Sequence, residues 1–250
     1  MGASVMSMSM EKLDRIATEY HTNESVPDIH IEHLCQEYFI EWLLRQIPAG
    51  SRVLELGYGD GLVTAALAKF GCELTVLEGA ATLVDRARQI HPSIKCVHSL
   101  FEDFRADRAY DVILASHVLE HVDDPSAILR LISSWLVEVG KIIIVVPNRN
   151  SLHRQLAVVM GLQPELDTLS KRDLMVGHQR VYSLQILEND IRRAGLTPVD
   201  SAGFFLKVLP NAMMVEYSRE LLWGLNAISP SLPKDLLANI AAIAIKGAIT

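Results

Sequence analysis

The chain is poor in cysteine, in positive charge and in long apolar runs, and each shortage excludes a class of protein. Its 250 residues hold three cysteines, Cys35, Cys72 and Cys96, far apart and without ligand spacing. An odd, scattered set builds no disulfide framework and suits a reducing compartment, so a cytoplasmic location is expected. Lys and Arg number 23 against 30 Asp and Glu, a formal charge of −7. Such a surface does not attract nucleic acid or anionic lipid broadly, and no aromatic-basic run or added binding module compensates. Neither nucleic acid nor membrane is an expected partner. The apolar stretch LLANIAAIAIKGAI over 236–249 is too short to span a bilayer and is interrupted by Lys246. The opening MGASVMSMSM has no basic segment leading into an apolar one, and its position 6 is Met, so neither a secretory signal nor myristoylation is read there. There is no H-E-x-x-H and no cysteine pair; His30 and His33 give a metal little support, and none is expected. Internal repeats and low-complexity tracts are also missing.

What is present folds. Half of the residues are apolar and 21% are charged, which suits one large domain. A short helix is predicted over 11–22, a loop over 23–29 and a helix over 30–47. There Ile31, Leu34, Phe39, Leu43 and Ile47 recur at helical spacing before Pro48 and Gly50. Strands over 52–56, 73–77, 94–97, 111–115 and 141–146 then alternate with helices over 61–70, 83–90 and 126–136. IIIVV in the fifth strand is apolar without alternation, as in a central parallel strand covered on both faces. Beyond Pro147 the chain is polar-rich with helical pieces to 180. A helix over 183–194, strands over 197–208 and 238–246, and a helix near 212–224 complete it. The rhythm predicts an α/β, Rossmann-like fold: seven strands, mostly parallel, with helices on both faces.

VLELGYGDG, residues 53–61, ends the first strand with glycines at 57, 59 and 61. In an open parallel sheet, ligands sit beyond the carboxyl ends of the strands. Glycine permits the dihedrals and close approach such a loop needs, and the next helix points free N–H groups at it. A tight turn without a ligand is the plain alternative. A dinucleotide fingerprint needs its third glycine at 62, where Leu62 stands, so the spacing disfavours NAD. No Lys-Ser or Lys-Thr pair follows to hold a triphosphate. Glu78, after LTVL at the end of strand two, stands where an acid accepts both hydroxyls of a ribose; a surface acid is the alternative.

Taken together, VLELGYGDG, LTVLEGA, HSLFEDF (98–104), YDVILASHVLEHVDDP (110–125) and KIIIVVPN (141–148) resemble class I S-adenosylmethionine-dependent methyltransferases. The similar members are the small-molecule group that includes the ubiquinone-biosynthesis type. The resemblance covers about 50–250. It implies a helical cover over 1–48 and a methyltransferase domain over 49–250, with an acceptor-site insertion around 148–182 and a helical insertion around 211–236. S-adenosylmethionine is the implied cofactor. Glu55 and the backbone of Gly57, Tyr58, Gly59 and Gly61 would surround its methionine part. Glu78 with Gly79 would hold the ribose. Leu100 and Phe101 would lie near adenine, and Ser116 with His117 beneath the sulfonium. Tyr20, in RIATEYH, belongs to a segment similar to the relatives' N-terminal cover. Glu-Gly-Ala-Ala replaces the frequent Asp-x-Ser after strand two, and Ser99 a small-acidic pair.

Methyl transfer from a sulfonium is a displacement that depends on alignment and exclusion of water, so no particular catalytic residue is demanded. A hydroxyl acceptor usually needs a base. His178 and His117 are the candidates. His178 opens GHQRVYS, in which an extended run would put His178, Arg180 and Tyr182 on one side; an ordinary helix lead-in is the alternative. His121, Arg149 and His153 complete the acceptor-side set with Arg180, Tyr182 and Tyr20, although His121 also suits a role in holding its loop. Met213 and Met214 suit core better than an acceptor wall or dimer face. The expected acceptor is a small molecule, methylated on oxygen ahead of nitrogen, by a monomer or homodimer. A protein or nucleic-acid methyltransferase and a noncatalytic cofactor-binding protein are the alternatives.

Overall fold

A computed structural model describes residues 9–22 and 28–247, so the opening tail and most of the loop over 23–29 lie outside the described residues. Seven strands form one sheet: β1 Arg52–Leu56, β2 Glu73–Glu78, β3 Lys95–His98, β4 Tyr110–Ser116, β5 Leu136–Pro147, β6 Leu196–Phe204 and β7 Asn239–Lys246. Their order is β3-β2-β1-β4-β5-β7-β6. The first five run parallel, and β7 lies antiparallel between β5 and β6. The strand order reverses between β1 and β4, which places a crevice at their carboxyl ends.

The apolar run of β5 is explained by burial on both sides. Strand side chains alternate between faces. Ile142, Ile144 and Val146 pack with Leu54, Leu56 and Ile113 on one face, under α5 Pro125–Ser133 and α8 Leu184–Arg193. Ile143 and Val145 pack with Val53, Val76 and Val112 on the other. That face is covered by α2 Ile29–Gln46, α3 Leu62–Phe70 and α4 Ala81–Ile90 through Phe39, Leu43, Leu67 and Leu83. Each of these side chains contributes about 2 kcal/mol on burial. A third cluster joins Ile31 and Cys35 of α2 to Phe205, Met214 and Leu222. Met214 is thus core, whereas Met213 is half exposed.

Four stretches differ from the sequence reading. The helix predicted over 126–136 ends at Ser133, and the strand predicted from 141 already begins at Leu136. The helix predicted over 11–22 is α1 Met10–Ile16 followed by a π-helical turn, Ala17–His21. The strand predicted to 208 stops at Phe204 because Phe205 turns to φ +60°. The helix predicted near 212–224 is a single 3₁₀ turn, Asn211–Met213, and then, after α6 Leu152–Val159, α7 Lys171–Met175 and α8 in chain order, α9 Arg219–Ala227. Among the described residues no helix is long and apolar enough to cross a membrane.

Candidate active site

The carboxyl ends of β1, β2 and β4 open on a cavity of about 890 Å³. Glu55, Gly57, Tyr58, Gly59, Glu78, Gly79, Leu100, Phe101, Ser116 and His117 all line it. Gly57 and Gly59 have φ of +80° and +53°. A Cβ on Gly57 would meet nothing within 4 Å, and one on Gly59 only His21 Cε1 at 4.0 Å. The loop therefore presents bare backbone to open space. Gly61 differs from its expected role. It caps α3 at φ +80°, and its Cβ would lie 2.4 Å from Tyr58 Oη, so it makes room for a tyrosine and does not line the cavity.

Glu78 ties two elements together. One carboxylate oxygen accepts from the Tyr58 N–H at 2.8 Å and the other from the Ala80 N–H at 2.7 Å. Each oxygen keeps a further lone pair for a hydroxyl. Glu55 is 4% exposed, and Thr64 Oγ1 donates to it at 2.7 Å. Burial pushes its carboxyl up to about 8, against the Thr64 hydrogen bond and with the charge of Glu78 adding to the rise.

The N-terminal segment closes over this end through Asp60, which the sequence reading passed over although it lies inside VLELGYGDG. Its carboxylate meets His21 Nδ1 at 2.8 Å and His33 Nε2 at 3.7 Å, and accepts from Gln36 Nε2 at 3.2 Å. Burial opposes ionisation there, but the His21 hydrogen bond and the two histidines hold the carboxyl below its ordinary range. The π-helical turn sets Tyr20 beside His21. Tyr20 lines the cavity with Arg172 over its ring at 5.7 Å, and burial pushes its hydroxyl up.

The other end of the cavity gathers histidines backed by carboxylates. His117, at φ +55°, meets the fully buried Glu120 through Nδ1 at 3.0 Å. Burial alone would raise the Glu120 carboxyl, but the His117 hydrogen bond and the surrounding histidines hold it down at about 2. Burial lowers His121 to about 4. Its ring meets that of His178 edge-on at 4.7 Å. His178 Nδ1 lies 3.0 Å from Asp173, which also accepts from Arg154 at 2.9 Å and from the Ser170 N–H at 2.8 Å. A carboxylate only accepts, so the proton of a neutral His178 sits on Nδ1 and leaves a lone pair on Nε2. That nitrogen is 3.9 Å from Glu120. Glu120 Oε2 and His121 Nδ1 are buried with no hydrogen-bond partner among the described residues. Glu120, His121 and His178 bring one ligand atom each within 4.8 Å of one another, a spacing open to a cation. His153 lines the same end, its Nδ1 also buried and unpartnered, and burial holds it well below the usual histidine range.

Three expected acceptor residues lie elsewhere. Tyr182 is fully buried, with its hydroxyl donating to the Leu119 carbonyl at 3.4 Å. Its backbone bridges the end of β5, which fixes the ring in the core and separates it from His178. Arg180 donates to the carbonyls of Leu119, Val122 and Asp123 and so clamps the loop after β4. Arg149 turns away to Asp167 at 3.3 Å. Conversely, Glu120 and Asp173 were missed. The only available signal was an acid adjacent to His121 and one five residues before His178.

The family profile described as "Methyltransferase domain" matches residues 29–201. A ubiquinone biosynthesis O-methyltransferase of Xanthomonas axonopodis pv. citri is 36% identical over 122 residues, 45% of this chain. The chain spans about half, 49%, of that relative's length. One from Xylella fastidiosa is 28% identical over 80% of this chain and 83% of its own. Among solved structures, a possible histamine N-methyltransferase from Thermotoga maritima superposes with TM-score 0.66 at 17% identity, covering 94% of this chain and 100% of that one. A didemethyltoxoflavin N1-methyltransferase from Burkholderia thailandensis gives 0.59 at 18% identity, covering 92% and 84%. At such identities the likeness is one of fold.

Proposed function

The chain belongs to the methyltransferase-domain family, with S-adenosylmethionine as its cofactor, and on that premise we propose that it methylates a small-molecule acceptor by in-line displacement, oxygen ahead of nitrogen. The residues fit the cofactor. The bare backbone at Gly57 and Gly59 admits its methionine part, with the Glu55 carboxyl set for the amino group. The Glu78 carboxylate suits ribose hydroxyls, and Leu100 and Phe101 a flat apolar base. Bound there, the cofactor supplies an electrophilic methyl group on a sulfonium. The protein's own work is to align the acceptor, exclude water and take its proton.

The observation that carries oxygen over nitrogen is the Asp173–His178 pair facing the cavity. An ionised Asp173 fixes the tautomer that leaves Nε2 free to accept a hydroxyl proton, and it stabilises the imidazolium formed. His117 on Glu120 is the second histidine of this kind. A different reading of the same cluster puts a divalent cation among Glu120, His121 and His178, which would acidify a hydroxyl without a base. Turnover that vanishes on chelation and returns with added cation selects that reading; turnover indifferent to chelation selects the base. The chain acts as a monomer or homodimer without nucleic acid.

The first test is calorimetric titration with S-adenosylmethionine, S-adenosylhomocysteine and NAD. The first two bind and NAD does not. Gly59→Val abolishes binding, because its side chain enters the approach path at a φ that valine resists. Cofactor binding without a methylated product across a broad panel of small molecules would instead favour a noncatalytic protein; product only from proteins or nucleic acids would move the acceptor class.

A further inference from the structure

One cation at the acceptor end has no acid to answer it, and we infer that Lys207 holds a carboxylate of the acceptor, so that the substrate class is a small hydroxylated carboxylic acid. This deepens the methyl-transfer reading and rests on it. Lys207 lines the cavity together with His153, Arg154, Arg172 and Asn211. The acids of that wall are already engaged. Asp28 and Glu32 both pair with Arg172, and Glu32 also accepts from Asn211. Asp173 is taken by Arg154 and His178. Among the described residues no carboxylate forms an ion pair with Lys207. Its charge acts on the Cys35 thiol and on His153, and burial keeps both of these neutral. A half-buried cation that faces the cavity among neutral groups and spoken-for acids is open to one negative charge from a ligand.

The backbone points the same way. Among the described residues only His117 and Phe205 carry a side chain at left-handed φ, +55° and +60°. Bulky, fully buried Phe205 is a costly place for that conformation, which persists only where its surroundings over-determine it. The Phe205 carbonyl accepts from the N–H groups of Lys207 at 2.9 Å and Ala238 at 2.8 Å. This turn breaks β6 at Phe204 and brings Lys207 to the cavity instead of continuing the strand beside β7.

Two more atoms describe the ligand. Asn211 Oδ1 and His153 Nδ1 are buried on the same wall without hydrogen-bond partners among the described residues. The first accepts a hydroxyl hydrogen, and the neutral imidazole nitrogen exchanges a hydrogen bond with a carboxylate or hydroxyl. The guanidinium forks that would grip a doubly charged phosphate, Arg154 and Arg172, are occupied. A single ammonium suits a single carboxylate.

The test uses matched neutral and anionic probes on the full chain saturated with S-adenosylhomocysteine: hydroxybenzoate against hydroxybenzamide, and hydroxycinnamate against hydroxycinnamamide. Calorimetry reads each affinity. The acid binds about tenfold tighter than its amide in at least one pair, the scale of one charge pair at a partly wet site. Lys207→Arg keeps the preference and Lys207→Met abolishes it, with S-adenosylhomocysteine affinity reporting that each variant is folded. Equal affinities, a preference for the amides, no binding of either acid, or a preference that survives Lys207→Met overturns the assignment. Should Lys207→Met fail to fold, the wild-type comparison still decides. Failure of S-adenosylhomocysteine itself to bind sinks the methyl-transfer reading, a different result from cofactor binding without acid preference.

Discussion

Glu55→Gln should make the ligand-free protein more stable at neutral pH, although it alters a motif proposed to hold the cofactor. The Glu55 carboxyl is 4% exposed and is pushed by burial from an ordinary 4.5 to about 8. Between those values the folded chain keeps a proton that the unfolded chain has lost. Stability therefore falls as pH rises through that window, by about 1.4 kcal/mol per unit, and levels off above it. From pH 5.5 to 7.5 the loss attributable to this one group is about 3 kcal/mol. Glutamine cannot ionise, yet its side-chain oxygen still accepts from Thr64 Oγ1, so the variant escapes the loss while keeping the hydrogen bond. Urea unfolding of both proteins at several pH values measures the effect. Other titrating groups cancel in the difference between the two curves. The gap should widen in favour of Glu55→Gln as pH rises. Parallel curves would refute the reasoning and mean that Glu55 is already ionised in the folded chain.

Three further perturbations probe the same cavity. Gly61→Ala should destabilise by about 3 kcal/mol in urea unfolding, from the left-handed φ and the 2.4 Å approach to Tyr58 Oη; a loss below about 1 kcal/mol would mean the Tyr58 ring swings away freely. Glu78→Ala should abolish S-adenosylhomocysteine binding and also lose about 2 kcal/mol of stability, since it orphans the N–H groups of Tyr58 and Ala80. An unchanged urea midpoint would mean that water or a local shift satisfies those two N–H groups in place of the carboxylate. Asp173→Asn should lower turnover at least tenfold while leaving the KM for S-adenosylmethionine unchanged, and add little in a His178→Ala background; additive losses would separate the two residues.

The fold was legible because its signal is local and repeated. Five apolar strands separated by helices leave few arrangements, and IIIVV in β5 announces a strand buried on both faces. The lining of the cavity at the ends of β1 and β2 followed for a related reason: 53–61 and 73–79 are continuous segments, and most of their strand-end residues face it. What failed were features decided by one torsion or one distant partner. Nothing in FFLKV marks Phe205 as the residue that breaks its strand. Arg180 and Tyr182 were grouped with His178 on alternation alone. Yet Tyr182 pairs with the end of β5 and Arg180 finds three carbonyls of the loop after β4, which scatters the three residues. Asp60 sat in the quoted motif, but its partners His21, His33 and Gln36 come from the cover, and only tertiary packing reveals them.

The same contrast bears on how the site can change. The cofactor wall depends on strand ends, glycine torsions and two acids held by backbone or core partners, so a substitution there disturbs the sheet that supports it. The acceptor wall is assembled from side chains on separate segments: α2, the loop after β4, residues 153–178, and the turn that carries Lys207. Several of these segments are tied to one another, Arg172 to Asp28 and Glu32, Asn211 to the same Glu32, and Arg180 to the loop after β4, whereas Lys207 has no carboxylate partner among the described residues. Lys207 and the unpartnered His153 Nδ1 can therefore be exchanged without unseating the rest, because couplings between sites without shared partners are small, whereas Arg172, Asn211, Arg154 and His178 share carboxylates and would couple. Acceptor preference should respond to substitution at Lys207 or His153 while cofactor affinity holds, whereas substitutions at Glu78 or Gly59 move both. A Lys207 variant that lost cofactor affinity in step with acceptor affinity would show that the two ends are one coupled unit.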